Sequence, residues 1–196
     1  VYSYTVKAIT AAGDSVSSVA NTGWRNAAAP VGVDATDGTS TANVTVTWGG
    51  VAEATGYRIF RGVGSGAAAQ IGTTGVGVLS FTDTTAVAGT LYTYTVKSVT
   101  AAGDSVSSAS NTGWRNVSAP GGVSATDGTN TANVMVTWSA VTGASGYRIL
   151  RAVGDGVPAQ VGTTAAGVVS YADTSAVIGT VYSYTVKAIT AAGDSV

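Results

Sequence analysis

The stretch GTLYTYTVKSVTAAGDSVSSASNTGWRN, Gly89 to Asn116, decides the fold. Its first part alternates, with Tyr92, Tyr94, Val96 and Ser98 on one side of an extended chain and Thr93, Thr95 and Lys97 on the other. Ala-Ala-Gly-Asp, 101 to 104, predicts a hairpin turn, and SVSSASNT after it predicts a returning last strand. The stretch occurs almost three times: VYSYTVKAITAAGDSVSSVANTGWRN runs from Val1, and GTVYSYTVKAITAAGDSV runs to Val196.

Working outward, residue i laid on residue i+90 aligns the chain without a gap, and about two-thirds of the positions are identical. Trp24 falls on Trp114, Trp48 on Trp138, Tyr57 on Tyr147 and Asp83 on Asp173. Such a period exceeds the roughly 20–50 residues of solenoid repeats and suits a tandem array of small complete domains. Within one period the strand signals come at sandwich spacing. GVDAT gives a short first strand before the Asp37-Gly38 turn. NVTVTW sets Val44, Val46 and Trp48 on one face, and GYRIFR sets Tyr57 and Ile59 inward with its arginines toward the exposed side or end. GVGSG, 62 to 66, turns the chain into the weak strand AAQIGTT; Pro158 in the second period confines that strand to an edge or places the proline beyond its end. LSFTDT, around Phe81, follows. With the quoted hairpin, seven strands result, and the fold class is all-β: tandem seven-stranded β-sandwiches.

Composition agrees. Val, Thr and Tyr abound while Glu53 is the single glutamate, the reverse of what helices prefer. There is no cysteine, so no disulfide and no thiolate metal site. Charged residues are 10% of the chain with a formal net charge of −1, which leaves an exterior of Ser, Thr, Gly, Ala and Asn with little like-charge repulsion. The arginines and lysines are spread evenly through the repeats, so nucleic acid is not an expected partner. No apolar run approaches the roughly 20 residues of a membrane helix, so membrane insertion is not expected in this segment.

The chemistry-bearing residues point away from catalysis. Histidine is absent, removing the usual general base and metal ligand, and the many serines and threonines have no partner base. Asp14, Asp37 and Asp83 recur as Asp104, Asp127 and Asp173 at turns and strand ends, where aspartate caps its own backbone. Calcium at module-boundary aspartates is the competing reading, but no D-x-D-x-D-G ladder supports it. GVGSG precedes no helix, so it reads as a turn rather than a dinucleotide fingerprint. The N-x-S/T triplets at Asn43 and Asn116 do not recur between periods and read as chance matches. No catalytic, cofactor-binding or metal residue is assigned, and no cofactor is expected.

The residues then carry a resemblance. Trp48 on the second strand, Tyr57 opening the third, FTDTTAVAGTLYTYTV leading into the sixth and AAGDSVSS at the next turn resemble a fibronectin type III domain of the kind found in bacterial extracellular proteins. The resemblance covers essentially the whole chain. It implies an immunoglobulin-like sandwich, and it implies that Tyr92 and Tyr182 are tyrosine-corner residues whose hydroxyls bond nearby backbone. The expected structural core is Trp48, Tyr57, Tyr92, Trp138, Tyr147 and Tyr182.

On this reading residues 1–26 are the last hairpin, strands F–G, of a preceding module. Residues 27–116 form one complete module, and 117–196 form a module lacking its final strand. Because Val1–Val16 repeats Val181–Val196 whereas the middle copy differs at Leu91, Thr93, Ser98 and Val99, the chain reads as a window on an array of two alternating module types. The rival is strand donation between separate chains. Trp24-Arg25 and Trp114-Arg115 are candidates for an inter-module clamp, packing across the junction; the competing reading has each indole covering its own core. The expected role is a non-enzymatic structural repeat of a long extracellular or cell-surface protein, forming a fibre, sheath or adhesin stalk through end-to-end and lateral packing. Its expected partners are copies of itself or neighbouring modules, with surface glycans or proteins beyond them. The alternative is a spacer or weak carbohydrate-contacting segment of a secreted polysaccharide-acting enzyme.

Overall fold

The computed structural model describes residues 1–196, all of them in strands, turns and connecting segments, with no helix. The first hairpin comprises β1 (Tyr2–Tyr4), β2 (Ile9–Thr10), β3 (Gly13–Asp14) and β4 (Asn21–Gly23). The next unit comprises β5 (Asp34–Ala35), β6 (Val44–Thr47), β7 (Gly56–Val63), β8 (Ala69–Gly75), β9 (Ser80–Asp83), β10 (Tyr92–Thr100), β11 (Gly103–Asp104) and β12 (Asn111–Gly113). A third repeats the order with β13 (Ser124–Ala125), β14 (Val134–Thr137), β15 (Gly146–Val153), β16 (Ala159–Ala165), β17 (Ser170–Asp173), β18 (Tyr182–Thr190) and β19 (Gly193–Asp194).

In the first sandwich one sheet has the order β5-β6-β9 and the other β11-β10-β7-β8, with β12 also on β10. All ladders are antiparallel, which lets short hairpins make the connections. The two sheets face one another because each strand buries alternate residues. Val44, Val46 and Trp48 from one sheet meet Tyr57, Ile59, Tyr92, Tyr94 and Val96 from the other in a single core. The second core repeats it with Val136, Trp138, Tyr147, Ile149, Val186 and Ala188. The tandem sandwich architecture read from the sequence is therefore the one observed. Pro158 lies immediately before β16, outside the ladder, as a residue without an N–H must. GVGSG forms the β7–β8 turn, with Gly64 at φ 53°.

Two sequence expectations need correction. The last strand is not continuous over Ser105–Thr112: after β11 the chain leaves the ladder and rejoins it only at Asn111. The reason lies in two serines. The Ser105 and Ser108 hydroxyls accept the Ser98 and Val96 N–H groups, each at 3.0 Å, in place of backbone carbonyls. Each serine's own N–H still donates to the same residue of β10, to Ser98 O at 2.9 Å and Val96 O at 3.0 Å. Side-chain hydroxyls thus keep the backbone satisfied while the strand bulges. Ser15 and Ser18 do the same in the first hairpin and Ser195 in the second sandwich.

The second correction concerns Arg61, which faces the protein rather than solvent. It shares the parity of Tyr57 and Ile59 along β7, its side chain is 19% exposed, and its guanidinium lies 4.5 Å from the centroid of the Tyr92 ring. Arg58, of opposite parity, does lie outward, at 44% exposure.

Candidate functional site

Two places concentrate polar chemistry: a buried charged network within each sandwich and the contact between sandwiches. The network is built by strand parity. Asp83, ending β9, is 2% exposed. Its Oδ2 accepts from Arg61 Nη1 at 2.6 Å and from the Tyr94 hydroxyl at 3.0 Å; its Oδ1 accepts from the Thr85 N–H at 2.9 Å and the Thr85 hydroxyl at 2.7 Å. Arg151, Asp173, Ser175 and Tyr184 repeat every contact in the second sandwich. Burial alone would raise the Asp83 pKa, but the bonds from Thr85, Arg61 and Tyr94 outweigh it and hold the carboxyl below its ordinary value. Burial, reinforced by the Asp83 charge, pushes the Tyr94 hydroxyl well up; in the second sandwich burial and Asp173 push Tyr184 to about 12. Every acceptor position of this carboxylate is filled by the protein's own donors, so the network is a staple between strands and offers no free base or nucleophile.

The cap expected at Asp83 is present, but the sequence reading missed its arginine and tyrosine. The signal was available: Arg61 and Tyr94 both fall on inward positions of alternating strands, and a charge placed there needs a partner. Asp104 and Asp194 likewise do more than turn the chain, lying 3.4 and 2.8 Å from Arg58 and Arg148. Asn116 is buried and its Oδ1 accepts the Val117 N–H at 2.8 Å, so this triplet asparagine is turned into the junction.

The expected core residues Trp48, Tyr57, Tyr92, Trp138 and Tyr147 are buried, and each Trp packs on a Tyr at 5.3–5.4 Å between centroids. Tyr182 is half-buried. The Tyr92 hydroxyl accepts the Val87 N–H at 3.1 Å, and the Tyr182 hydroxyl the Val177 N–H at 3.2 Å, which is the corner geometry.

The clamp candidates occupy different positions. The Trp114 N–H donates to Thr36 O at 3.1 Å, its carbonyl accepts the Gly38 N–H at 2.9 Å, and its indole lies over Gly38, where an added Cβ would come within 2.4 Å of Nε1. Arg115 Nη1 donates to Ala42 O at 3.3 Å, and the Arg115 carbonyl accepts the Gly89 N–H at 2.8 Å. These contacts are with residues 36–42 and 89 of the first sandwich. Trp24 is 55% exposed and lines an open groove with Arg25, Ala27, Val51 and Glu53. Contact across the junction is made instead by small residues. Ala88 packs on the core that contains Val117, Gly89 leaves no room for a Cβ beside Thr190, and Gly143 faces Ala88 O. Val117 and Thr190 are 3% and 8% exposed. Sequence reasoning missed this seat because Ala, Gly and Thr carry no distinctive signal.

The same backbone arrangement is found in a two-domain fibronectin type III segment of chicken tenascin, which matches over 85% of this chain and 94% of its own length with a TM-score of 0.64 and 22% identity. The chain has the fold of two tandem fibronectin type III sandwiches, preceded by a hairpin. No family model matches the sequence. Exoglucanase B of Cellulomonas fimi is 35% identical over 98% of this chain, which spans 19% of that protein's length. The likeness thus involves a small part of the exoglucanase. No helix of the chain is long and apolar enough to cross a membrane.

Proposed function

We propose that this chain is a non-enzymatic structural and spacer segment of an extracellular or cell-surface protein, holding the parts on either side of it at a set separation. The observation that supports this most is the junction: Val117, Gly89 and Thr190 bury a contact between consecutive fibronectin type III modules with almost no intervening linker. A junction of that kind resists bending, so force and distance pass from one sandwich to the next. Within each module the β7–β10 ladder runs from Gly56 to Val63 without interruption, and such hydrogen-bonded strands resist extension along the module. A strand of nine residues spans about 30 Å, so two modules give a rod of about 60 Å. The weakly charged exterior leaves the sides of the rod free for lateral contact, as in a fibre, sheath or adhesin stalk.

A second reading places these modules beside a catalytic domain in a polysaccharide-acting enzyme. The likeness to part of exoglucanase B favours it. Both readings share the spacer role and differ in what the spacer joins. Small-angle scattering of the 196-residue chain tests the shared part: an extended particle of fixed dimensions is expected, and a broad distribution of inter-module distances would refute the rod. Electron microscopy of the native parent distinguishes the two, since a filament with an axial step of one or two modules belongs to the first and an isolated stalk carrying a globular head to the second.

A further inference from the structure

The groove where the two sandwiches meet carries a charge that the junction does not use. It has a volume of about 340 Å³ and takes its walls from both modules, with Thr41, Ala88 and Arg115 on one side and Ser118, Val141 and Thr142 on the other. That volume lies at the small end of the roughly 300–1,000 Å³ of ligand sites, room for a single sugar ring. Arg58, Arg61, Arg148 and Arg151 each hold an aspartate within 3.4 Å, whereas Arg115 has no carboxylate partner and none lines the groove.

One Nη1 N–H of Arg115 donates to Ala42 O at 3.3 Å. Its Nε is shielded from solvent without a partner, so the stem is packed down and the guanidinium meets the groove through its Nη1–Nη2 end. There the second Nη1 N–H and both Nη2 N–H groups have no acceptor in the chain. Such a pair of parallel N–H groups is the fork that a planar carboxylate accepts. A phosphate monoester would bring close to two charges against this single one. The other donors in the groove are neutral. Asn116 Oδ1 is occupied by the Val117 N–H at 2.8 Å, which leaves its NH2 group unpartnered. Thr41, Ser118 and Thr142, whose hydroxyls bond nothing in the chain, stand beside the small apolar surfaces of Ala119 and Val141. Hydroxyl and amide groups set among small apolar ones suit a ring that carries hydroxyls at its edge and C–H groups on its faces.

The counterparts of these residues in the preceding period differ, and all in one direction. Arg115 and Asn116 fall on Arg25 and Asn26, but Ser118 and Thr142 fall on Ala28 and Ala52, and Gly143 falls on Glu53. Two hydroxyls are absent there, and Glu53 lines one groove with Arg25. A carboxylate of the chain itself thus accompanies the arginine where the hydroxyls are missing, and none accompanies it where they are present.

From the unpaired fork and the free hydroxyls we infer that the inter-module groove binds a carboxylate-bearing sugar, a uronic acid residue of an acidic polysaccharide. Arg115 receives the carboxylate, and Asn116, Ser118 and Thr142 receive ring hydroxyls. This goes beyond the spacer reading and does not depend on it. Because the walls come from both modules, a bound ring would also bridge them.

Titration of tetragalacturonate into the isotope-labelled 196-residue chain, followed by NMR, tests the site. Saturable shifts are expected for the Arg115 Nε–H and for the amides of Asn116, Val117 and Thr142, and none with the neutral methyl ester. Arg115→Gln, whose amide can still donate to Ala42 O, should weaken binding by about tenfold or more, the worth of a charge-assisted hydrogen bond. Gly143→Glu supplies at this junction the carboxylate that residue 53 has and should weaken binding as much. It is tolerable in shape, since a Cβ at 143 lies 3.6 Å from Ala88 O and Glu53 already holds a left-handed backbone at φ 64°. Tetraglutamate, which has carboxylates without hydroxyls, should bind at least about tenfold more weakly than the sugar and be indifferent to Ser118→Ala with Thr142→Ala, which should weaken the sugar. Melting curves of the variants confirm that the sandwiches remain folded. No saturable shift, shifts confined to residues outside the groove, equal binding of the methyl ester or of tetraglutamate, or undiminished affinity in Arg115→Gln or Gly143→Glu would each overturn the proposal. An extended particle by scattering together with no binding would leave the spacer reading standing and remove this one.

Discussion

Replacing Asp83 by Asn removes one charge and changes little else in shape, yet it should be among the most damaging single substitutions in the first module. The amide oxygen can still accept from the Thr85 N–H and hydroxyl. Its NH2 group then faces Arg61 Nη1, which the carboxylate held at 2.6 Å, and the Tyr94 hydroxyl, held at 3.0 Å. The tyrosine can rotate its proton and accept instead; the guanidinium cannot, and at 19% exposure it has little water to turn to. Removing one partner of a buried pair costs about 3–5 kcal/mol. Arg61 keeps the Thr85 hydroxyl at 3.0 Å and the Tyr92 ring at 4.5 Å, so the low end, about 3 kcal/mol, is expected. Urea denaturation followed by tryptophan fluorescence and far-UV circular dichroism measures it, with Asp173→Asn reporting the same network in the second module. Combining Asp83→Asn with Arg61→Met should cost less than the sum of the two, with a coupling above about 1 kcal/mol. A loss below about 1 kcal/mol for Asp83→Asn, the worth of an exposed pair, would refute the reasoning.

Further outcomes follow from the same geometry. Since Asp83 and Asp173 titrate below their ordinary value in the folded chain, their contribution is complete above the unfolded carboxyl pKa near about 4 and is lost as pH falls through the lower folded one; stability measured against pH should drop there, and a flat profile would contradict the assignment. Tyr184 is raised to about 12, so its contribution is present below about 10 and is lost as pH rises between these values, visible as delayed tyrosinate absorbance. Ser108→Ala leaves the Val96 N–H buried without its acceptor and should cost about 1–3 kcal/mol by urea denaturation. Glu53 sits at φ 64° where the second module has Gly143, so Glu53→Gly should stabilise the first module by about 1 kcal/mol, and a lowered melting temperature would count against strain at this residue. Trp114→Ala should destabilise the first module, since the indole is seated over Gly38, while leaving the relative orientation of the modules unchanged by scattering or NMR relaxation; a broadened orientation would show that the indole helps to fix the junction.

Much of the architecture was legible because burial in a sandwich is periodic. Val44, Val46 and Trp48, and again Tyr92, Tyr94 and Val96, alternate with polar residues, and a pattern of period two has one structural solution when a single face must leave water. The same rule, applied without exception, would have turned Arg61 inward and called for Asp83. Where the pattern misled was SVSSASNT, whose serines look like ordinary exposed strand residues. Ser105 and Ser108 are buried, and their hydroxyls stand in for carbonyls; that substitution is invisible until the facing strand supplies its N–H groups.

Tryptophan 114 shows where sequence information ends. Its size and its place between the modules made it a clamp candidate, but size does not say which surface is nearest. The missing Cβ at Gly38, 76 positions from Trp114 and beside the indole only after the sheets close, gives the ring its seat, and the junction falls to Ala88, Gly89, Val117 and Thr190. Periodic residues announced two sandwiches and their order, because local alternation survives in one dimension. The partner of each charge, the seat of each indole and the contact between modules were set only by tertiary structure, because they depend on distances between strands far apart in the chain and on the space left where a side chain is absent.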